Sequence, residues 1–216
     1  MVSQGTCGLP RRTVLDLTGQ GATMGLYQLA AVVVAMGTWG GFAGIMRKYF
    51  RHSKESTPAK TLLLITGFLA TLAQLVAIAL SPAATPTWFW AGVGGFAVAN
   101  GLFWWALQSH GKAHPAFVFI PVPPSALTTA GPYRLVRHPI YAAYLLAWIA
   151  GATIVAQPWL LTPAVLMSLF YVTAARQEEQ AFLTSEFAAP YREYQRRTGM
   201  FVPNVIGVFQ PIRKAG

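Results

Sequence analysis

The sequence has few charged side chains and almost no cysteine. Of its 216 residues, 6 are Asp or Glu and 16 are Lys or Arg, so that charged residues make up only 10% of the chain. The single cysteine, Cys7, has no partner with which to form a disulfide within the chain. Apolar residues make up 54%, and the mean hydropathy is +0.45. This balance excludes an ordinary water-soluble domain and indicates an integral membrane protein.

The longest stretch without charge predicts two membrane spans. No Asp, Glu, Lys or Arg occurs in residues 61–111. A span needs about 20 mainly apolar residues, so this stretch accommodates two helices, which we place at 62–80 and 88–107. The prolines within residues 81–86 lack backbone donors and favour a turn between them.

Three further spans are predicted on either side of this pair. An apolar run at 25–46 predicts a helix before it, and the uncharged run 138–175 predicts a helical hairpin divided at Gln157-Pro158. The expected fold class is therefore all-α, an integral membrane bundle of about five transmembrane helices. It forms one integrated domain with two parts: 1–127 holds the N-terminal tail and three spans, and 128–216 holds the hairpin and the C-terminal segment.

Basic residues fall mostly on one side of this five-span topology. The crowded side should be cytoplasmic, which places the N-terminus outside and the C-terminus in the cytoplasm of a multi-pass protein, for which we expect the bacterial inner membrane. Topology and attraction to anionic lipids explain the net charge of +10, and no nucleic-acid motif is present. The crowded side holds Arg47, Lys48, Arg51, Lys54, Lys60, Lys112, Arg134, Arg137 and the basic residues after Arg176, and the other side holds Arg11 and Arg12.

A metal site is not expected. His110 and His114 have the i, i+4 spacing of helical metal ligands, but Gly111 and Pro115 oppose a helix there. No nearby carboxylate or cysteine completes a ligand set. The sequence leaves the oligomeric state open.

Polar side chains concentrate in two segments near the ends of the second uncharged run. Residues 131–141 combine two arginines, a histidine and two tyrosines, and residues 176–203 carry two adjacent glutamates and two tyrosines. We expect both segments to build one site for a polar ligand at the membrane surface. The alternative is that the arginines only anchor helix ends at lipid headgroups.

These two segments resemble the membrane methyltransferases related to isoprenylcysteine carboxyl methyltransferase and to phospholipid N-methyltransferases. The family pattern reads Gly-x-Tyr-x-x-x-Arg-His-Pro-x-Tyr-x-Gly, a hairpin, and then Glu-Glu-x-x-Leu-x-x-x-Phe-Gly-x-x-Tyr-x-x-Tyr followed by a proline. The resemblance covers residues 128–203. The matching residues are Gly131, Tyr133, Arg137, His138, Pro139, Tyr141, Phe187, Tyr191, Tyr194 and Pro203.

The chain departs from this pattern at several positions. Ala143 and Ala188 stand where the family has glycine, and each adds a methyl group where backbones approach. The family's paired glutamates fall on Glu179 and Gln180, while Glu178 lies one position earlier. Which glutamate is functional stays open, with Glu179 favoured.

The resemblance implies that S-adenosylmethionine is the cofactor and that its methyl group passes to a lipophilic carboxylate, thiol or lipid amine at the cytoplasmic membrane face. The C-terminal part would then be a cofactor-binding segment. Arg137 and Glu179 become the candidate catalytic residues, Arg137 holding a carboxylate or phosphate and Glu179 the ribose or amino group. The candidate cofactor-binding residues are Tyr133, His138, Pro139, Tyr141, Glu178, Glu179, Tyr191 and Tyr194.

Two other functions stay open. Membrane sterol reductases share a similar C-terminal constellation and bind NADPH, although their chains are usually much longer. A non-catalytic membrane protein that binds a lipid or a partner is the second alternative, with which the substituted glycines and Gln180 are compatible. Under each hypothesis the partners are membrane lipids and a lipophilic small molecule.

Overall fold

The computed structural model describes residues 14–49, 57–81, 85–109 and 124–204. These ranges are helical apart from short turns and a single isolated bridge between Val136 and Gly199, which confirms the all-α prediction for them. Two 3₁₀ turns, Gly131–Arg134 and Pro158–Leu161, precede the fourth and fifth helices. The helices are α1 (Val14–Tyr49), α2 (Pro58–Leu80), α3 (Pro86–Ser109), α4 (Pro139–Val155), α5 (Thr162–Leu183) and α6 (Ala188–Arg197).

Several predicted features lie outside the described residues. They are Cys7, the basic residues at positions 11, 12, 51, 54 and 112, the His110 and His114 pair, and residues 205–216 of the C-terminal part.

Proline and capping residues set where the helices begin. Thr57 caps α2, because its hydroxyl accepts a hydrogen bond of 3.2 Å from the Lys60 backbone N–H. Pro58 and Pro86 are the first residues of α2 and α3, a position where the missing N–H costs nothing. Helices α2 and α3 therefore begin before the predicted starts at 62 and 88, because each apolar run begins after the proline that starts the helix.

Within the described ranges, three helical segments are long and apolar enough to cross a membrane, namely Gly25–Lys48, Pro58–Leu80 and Pro158–Leu183. The apolar helix α4 has 17 residues, and α3 has 24 residues without a charge. Many large apolar side chains of α1, α2 and α5 are exposed, as lipid-facing residues are. The chain is an integral membrane protein, and of the five predicted spans these three meet the length and composition of a crossing helix.

The bundle is held together by close approach of α3 and α4 and by paired polar side chains. A methyl group on Gly92 would lie 2.3 Å from the Ile154 side chain and 2.8 Å from the Ala150 carbonyl, so only glycine allows this approach. The buried Gln74 of α2 accepts a 3.0 Å hydrogen bond from the Trp39 indole and donates one of 3.0 Å to the Trp148 carbonyl. Such interhelical hydrogen bonds are typical of membrane bundles.

Candidate functional site

The turn before α4 is fixed against the end of α3. Gly131 has a φ of +59°, and a methyl group there would lie 2.0 Å from the Ser109 hydroxyl, so both conformation and space require glycine. The following Tyr133 is buried, and its carbonyl accepts a 2.6 Å hydrogen bond from the Tyr194 hydroxyl of α6. The first polar segment is thereby joined to the second.

A short stretch after α6, residues 198–201, runs alongside this turn, and we call it the strap. The Arg137 backbone N–H donates to the Gly199 carbonyl at 2.8 Å, and that of His138 donates to the Met200 carbonyl at 3.0 Å. The Phe201 ring lies 6.1 Å from the His138 ring, measured between centroids. The strap thus holds the two site residues that precede Pro139, the first residue of α4.

Arg137, His138, Glu178 and Glu179 form an ion cluster at the start of α4 and the end of α5. The Arg137 Nε lies 2.7 Å from Glu179 Oε1, and the same oxygen lies 3.2 Å from His138 Nε2. Arg137 also donates to the carbonyls of Gln195 and Thr198. The other Glu179 oxygen accepts a 2.9 Å hydrogen bond from the Gln195 amide. Glu179 is therefore satisfied on both oxygens by this chain.

Glu178 occupies a different environment from its neighbour. Its side chain is 41% exposed, whereas that of Glu179 is 10% exposed. One Glu178 oxygen accepts a short hydrogen bond from the Tyr141 hydroxyl, and the other lies 3.5 Å from His138 Nδ1. A carboxylate offers about four lone-pair sites, so Glu178 keeps acceptor capacity that faces outward.

This arrangement favours the protonated form of the His138 imidazole. Burial alone would lower the pKa of its imidazole, but hydrogen bonds to Glu178 and Glu179 raise the pKa above the ordinary value. The two ring nitrogens face separate carboxylates, and only the protonated ring donates from both. When His138 is protonated, the cluster places two cations beside two carboxylates.

The predicted tyrosines of α6 pack the helix against α5. The Tyr191 ring stacks on Phe182 with a centroid distance of 4.7 Å and an interplanar angle of 8°, and it lies 5.9 Å from Tyr194. Burial raises the pKa of both phenols, so they stay neutral. In this structure they are packing and anchoring residues beside the ion cluster.

The structure brings the predicted site residues of both segments together and adds others. Gln195, Thr198 and Phe201 contact the cluster or its carbonyl acceptors, and the sequence offered only the four-residue spacing from Tyr191 to Gln195 as a signal for them. Gln180 is exposed, and its side chain takes no part in the hydrogen bonds of the cluster among the described residues. Ala143 is fully buried in α4. In the described ranges, no group of three His, Cys, Asp or Glu side chains is arranged to hold a metal ion.

Known proteins resemble part of this chain. A methanethiol S-methyltransferase 2 of Bradyrhizobium diazoefficiens is 37% identical over 73 residues, which are 34% of this chain and 27% of that protein. The methanethiol S-methyltransferase of Pseudomonas deceptionensis is 32% identical over 73 residues, with the same two shares. The cobalt-zinc-cadmium resistance protein CzcN of Cupriavidus metallidurans is 34% identical over 107 residues, 49% of this chain and 44% of that protein.

The chain thus covers less than half the length of each of these relatives. Residues 90–184, from α3 to the end of α5, match the model of the isoprenylcysteine carboxyl methyltransferase family. Together with the motif residues gathered at one site, the family match and the two relatives named methanethiol S-methyltransferase support a similarity of this chain to the isoprenylcysteine carboxyl methyltransferase-like membrane methyltransferases.

Proposed function

We propose that this protein transfers a methyl group from S-adenosylmethionine to a lipophilic acceptor at the cytoplasmic face of a membrane. The observation that carries the proposal is the ion cluster, which joins both motif segments at one end of the α4 and α5 pair. In this proposal α3 and α4 also cross the bilayer, which gives five spans with the N-terminus outside and the C-terminus inside. The names and the family of the relatives support the type of reaction.

The residues of the cluster fit such a cofactor. An ammonium group and ribose hydroxyls need acceptors, which the partly exposed Glu178 carboxylate supplies with its remaining lone pairs. A cofactor carboxylate needs a cation, which the Arg137 guanidinium supplies and which the His138 ring supplies when it is protonated. When bound, S-adenosylmethionine carries its methyl group on a positively charged sulfur, which keeps the bonding electrons when the methyl group leaves.

The contacts assign different roles to Glu178 and Glu179. Glu179 accepts hydrogen bonds from Arg137, His138 and Gln195 and has little exposed surface, so it positions these side chains. Glu178 is exposed and has spare acceptor sites, so we assign it to the cofactor. This assignment moves the ligand-facing role from Glu179, which the motif spacing favoured, to its neighbour.

The remaining side chains orient the reactants and exclude water. Tyr141 fixes Glu178 from α4, and Phe201 of the strap covers the His138 and Tyr141 rings with centroid distances of 6.1 and 6.4 Å. An activated methyl donor needs orientation and a dry site more than acid or base help. An anionic acceptor adds its own lone pair to the methyl carbon.

The test is calorimetric binding of S-adenosylhomocysteine and of NADPH to the purified full chain, with Glu178→Gln and a matched control, Glu186→Gln. Glu186 lies in the exposed turn between α5 and α6. We expect wild type to bind S-adenosylhomocysteine. Glu178→Gln should bind it about tenfold or more weakly, because a hydrogen bond to a charged group is lost. Glu186→Gln should bind it with wild-type affinity.

Two results would contradict the proposal. Binding of NADPH without S-adenosylhomocysteine would assign the site to a reductase. Binding of neither compound by folded protein would leave the non-catalytic alternative.

A further inference from the structure

Gln195 of α6 contacts both members of the buried ion pair. Its side-chain amide donates a 2.9 Å hydrogen bond to Glu179 Oε2, and its backbone carbonyl accepts one of 3.3 Å from Arg137 Nη1. The hydroxyl of the neighbouring Tyr194 donates instead to the Tyr133 carbonyl. Helix α6 is therefore attached to the site at two points, the backbone of the turn before α4 and the ion pair itself.

The hydrogen bond from Gln195 decides which Glu179 oxygen the two basic side chains share. Glu179 Oε1 lies 2.7 Å from Arg137 Nε and 3.2 Å from His138 Nε2. The terminal torsion of a glutamate side chain is soft, so a carboxylate with one oxygen unbound rotates at little cost. Rotation of Glu179 would break its bond to the Gln195 amide. The amide therefore holds Oε1 between Arg137 and His138.

This constraint extends to Glu178 through the imidazole. Because His138 Nε2 contacts Glu179, the ring presents Nδ1 to Glu178, at a distance of 3.5 Å. Glu178 is the carboxylate that we assign to the cofactor. A series of polar contacts therefore connects the Gln195 amide, by way of Glu179 and His138, to the cofactor-facing carboxylate.

The surroundings of Gln195 favour an uncharged donor at this position. A carboxylate there would repel Glu179, and a cation would compete with Arg137 for the same oxygens. An amide donates to Glu179 without adding charge. The titratable groups of the cluster and its neighbours are Arg137 and His138 of the turn, Glu178 and Glu179 of α5, and the neutral phenols of Tyr133, Tyr191 and Tyr194, whose pKa values are raised by burial.

We propose that Gln195 is a positioning residue of the cofactor site, an inference that rests on the proposed function. Its amide fixes the Glu179 carboxylate, and Glu179 in turn fixes the His138 ring that faces Glu178. Without the amide donor the carboxylate rotates, the orientation of the ring is lost, and the cofactor binds more weakly.

Two substitutions of similar length separate the donor of Gln195 from the packing of its side chain. Gln195→Met keeps an unbranched chain but has no donor. Gln195→Glu has no donor when ionised and regains one when protonated, and the adjacent Glu179 carboxylate raises the pKa of the new carboxyl group. The matched control is Gln177→Met, because Gln177 is exposed on α5. Calorimetry measures S-adenosylhomocysteine binding to the full chain in detergent at about pH 7.5 and about pH 5.

We expect Gln195→Met to bind S-adenosylhomocysteine about tenfold more weakly than wild type at both pH values, as for a lost hydrogen bond to a charged group. Gln195→Glu should show a similar loss at about pH 7.5 and return to within about twofold of wild type at about pH 5. Gln177→Met should match wild type throughout. Wild-type affinity of Gln195→Met, or a loss in Gln195→Glu that is the same at both pH values, would overturn the role of the amide.

Melting temperatures without ligand separate this inference from the proposed function. Gln195→Glu should approach wild type at acid pH, because a pKa that is raised in the folded state stabilises the protein at low pH. Gln195→Met should cost much less in a Glu179→Gln background, where the carboxylate that the amide orients is gone. If both results hold but wild type binds no S-adenosylhomocysteine, Gln195 still fixes Glu179 and only the proposed methyl transfer is refuted. Additive effects, or no recovery at acid pH, would show that Gln195 does not act through Glu179, whichever cofactor binds.

Discussion

Arg137 and Glu179 are 42 residues apart in the sequence, and their side chains form an ion pair of 2.7 Å that is almost withdrawn from solvent. The guanidinium also reaches the carbonyls of Gln195 and Thr198, so this pair joins the turn before α4 to α5 and to the strap. The geometry of the site therefore depends on contacts within the chain.

Loss of the Glu179 carboxylate should destabilise the protein as well as the site. Glu179→Ala leaves Arg137 and His138 without their shared acceptor, and an uncompensated buried charge costs about 3–5 kcal/mol. We expect a clear drop in melting temperature and in S-adenosylhomocysteine affinity. Scanning fluorimetry in detergent measures the first, and calorimetry measures the second.

The control for this variant is Glu193→Ala. Glu193 pairs with Arg196 and Arg197 on the exposed face of α6, and such surface pairs contribute little. We expect no measurable change in melting temperature for it. If Glu179→Ala had the same melting temperature as Glu193→Ala, the buried pair of Arg137 and Glu179 would not hold the site together.

The stability that His138 contributes should decline at alkaline pH. Burial opposes charge on the ring, but the hydrogen bonds to the two glutamates prevail and raise the pKa of His138 above 6.5. A raised pKa in the folded state stabilises the protein fully below the unfolded value of 6.5, and this contribution is lost as the pH rises through the folded pKa. Melting temperatures of wild type and His138→Gln should therefore converge above pH 6.5. A difference that widens with pH would mean that the buried ring is neutral.

Gly199 should be required for the strap. A methyl group there would lie 1.8 Å from the Val202 carbonyl oxygen, and backbone cannot yield as a flexible side chain does. We expect Gly199→Ala to displace residues 199–202, to weaken S-adenosylhomocysteine binding about tenfold or more as the hydrogen bonds to Arg137 and His138 are lost, and to leave the bundle folded. The control is Gly101→Ala on α3, where nothing lies within 4 Å and binding should be unchanged. Equal affinity in both variants would show that the strap does not support the site.

Gly151 and Gln74 should be coupled in stability. A methyl group on Gly151 would lie 2.4 Å from the Gln74 amide nitrogen, so Gly151→Ala should displace the Gln74 side chain from Trp39 and the Trp148 carbonyl at a cost of about 1–3 kcal/mol. In a Gln74→Ala background the same change should cost much less, because the obstructing amide is gone. Thermal melts of the four proteins give the interaction energy. Additive effects would contradict the packing of α2 against α4 at this point.

Much of the fold followed from local properties of the sequence. Uncharged runs near 62–80 and 88–107 became α2 and α3, and the Gln157-Pro158 break separates α4 from the turn that leads into α5. These features can be predicted from the sequence because apolar length, proline and glycine each act within one segment. The starts of α2 and α3 were misplaced because apolarity marks what faces lipid, whereas a proline or a cap marks where a helix begins.

The motif residues could be predicted from the sequence for the same reason, but the separate roles of Glu178 and Glu179 could not. Residue spacing favoured Glu179 as the ligand-facing carboxylate, and it contained no signal for Thr198 or Phe201. Only the packing of α5 against α4 and α6 shows that Glu179 is enclosed by Arg137, His138 and Gln195 while Glu178 is exposed. Exposure and shared acceptors depend on residues far apart in the chain.

The sequence by itself determined that this protein is a helical membrane protein with a polar site beside its last apolar pair, since composition and local motifs carry that information. The tertiary structure decided which carboxylate is buried and how the strap is bonded to the turn. These facts arise where helices meet, and the order of residues along one helix does not encode them.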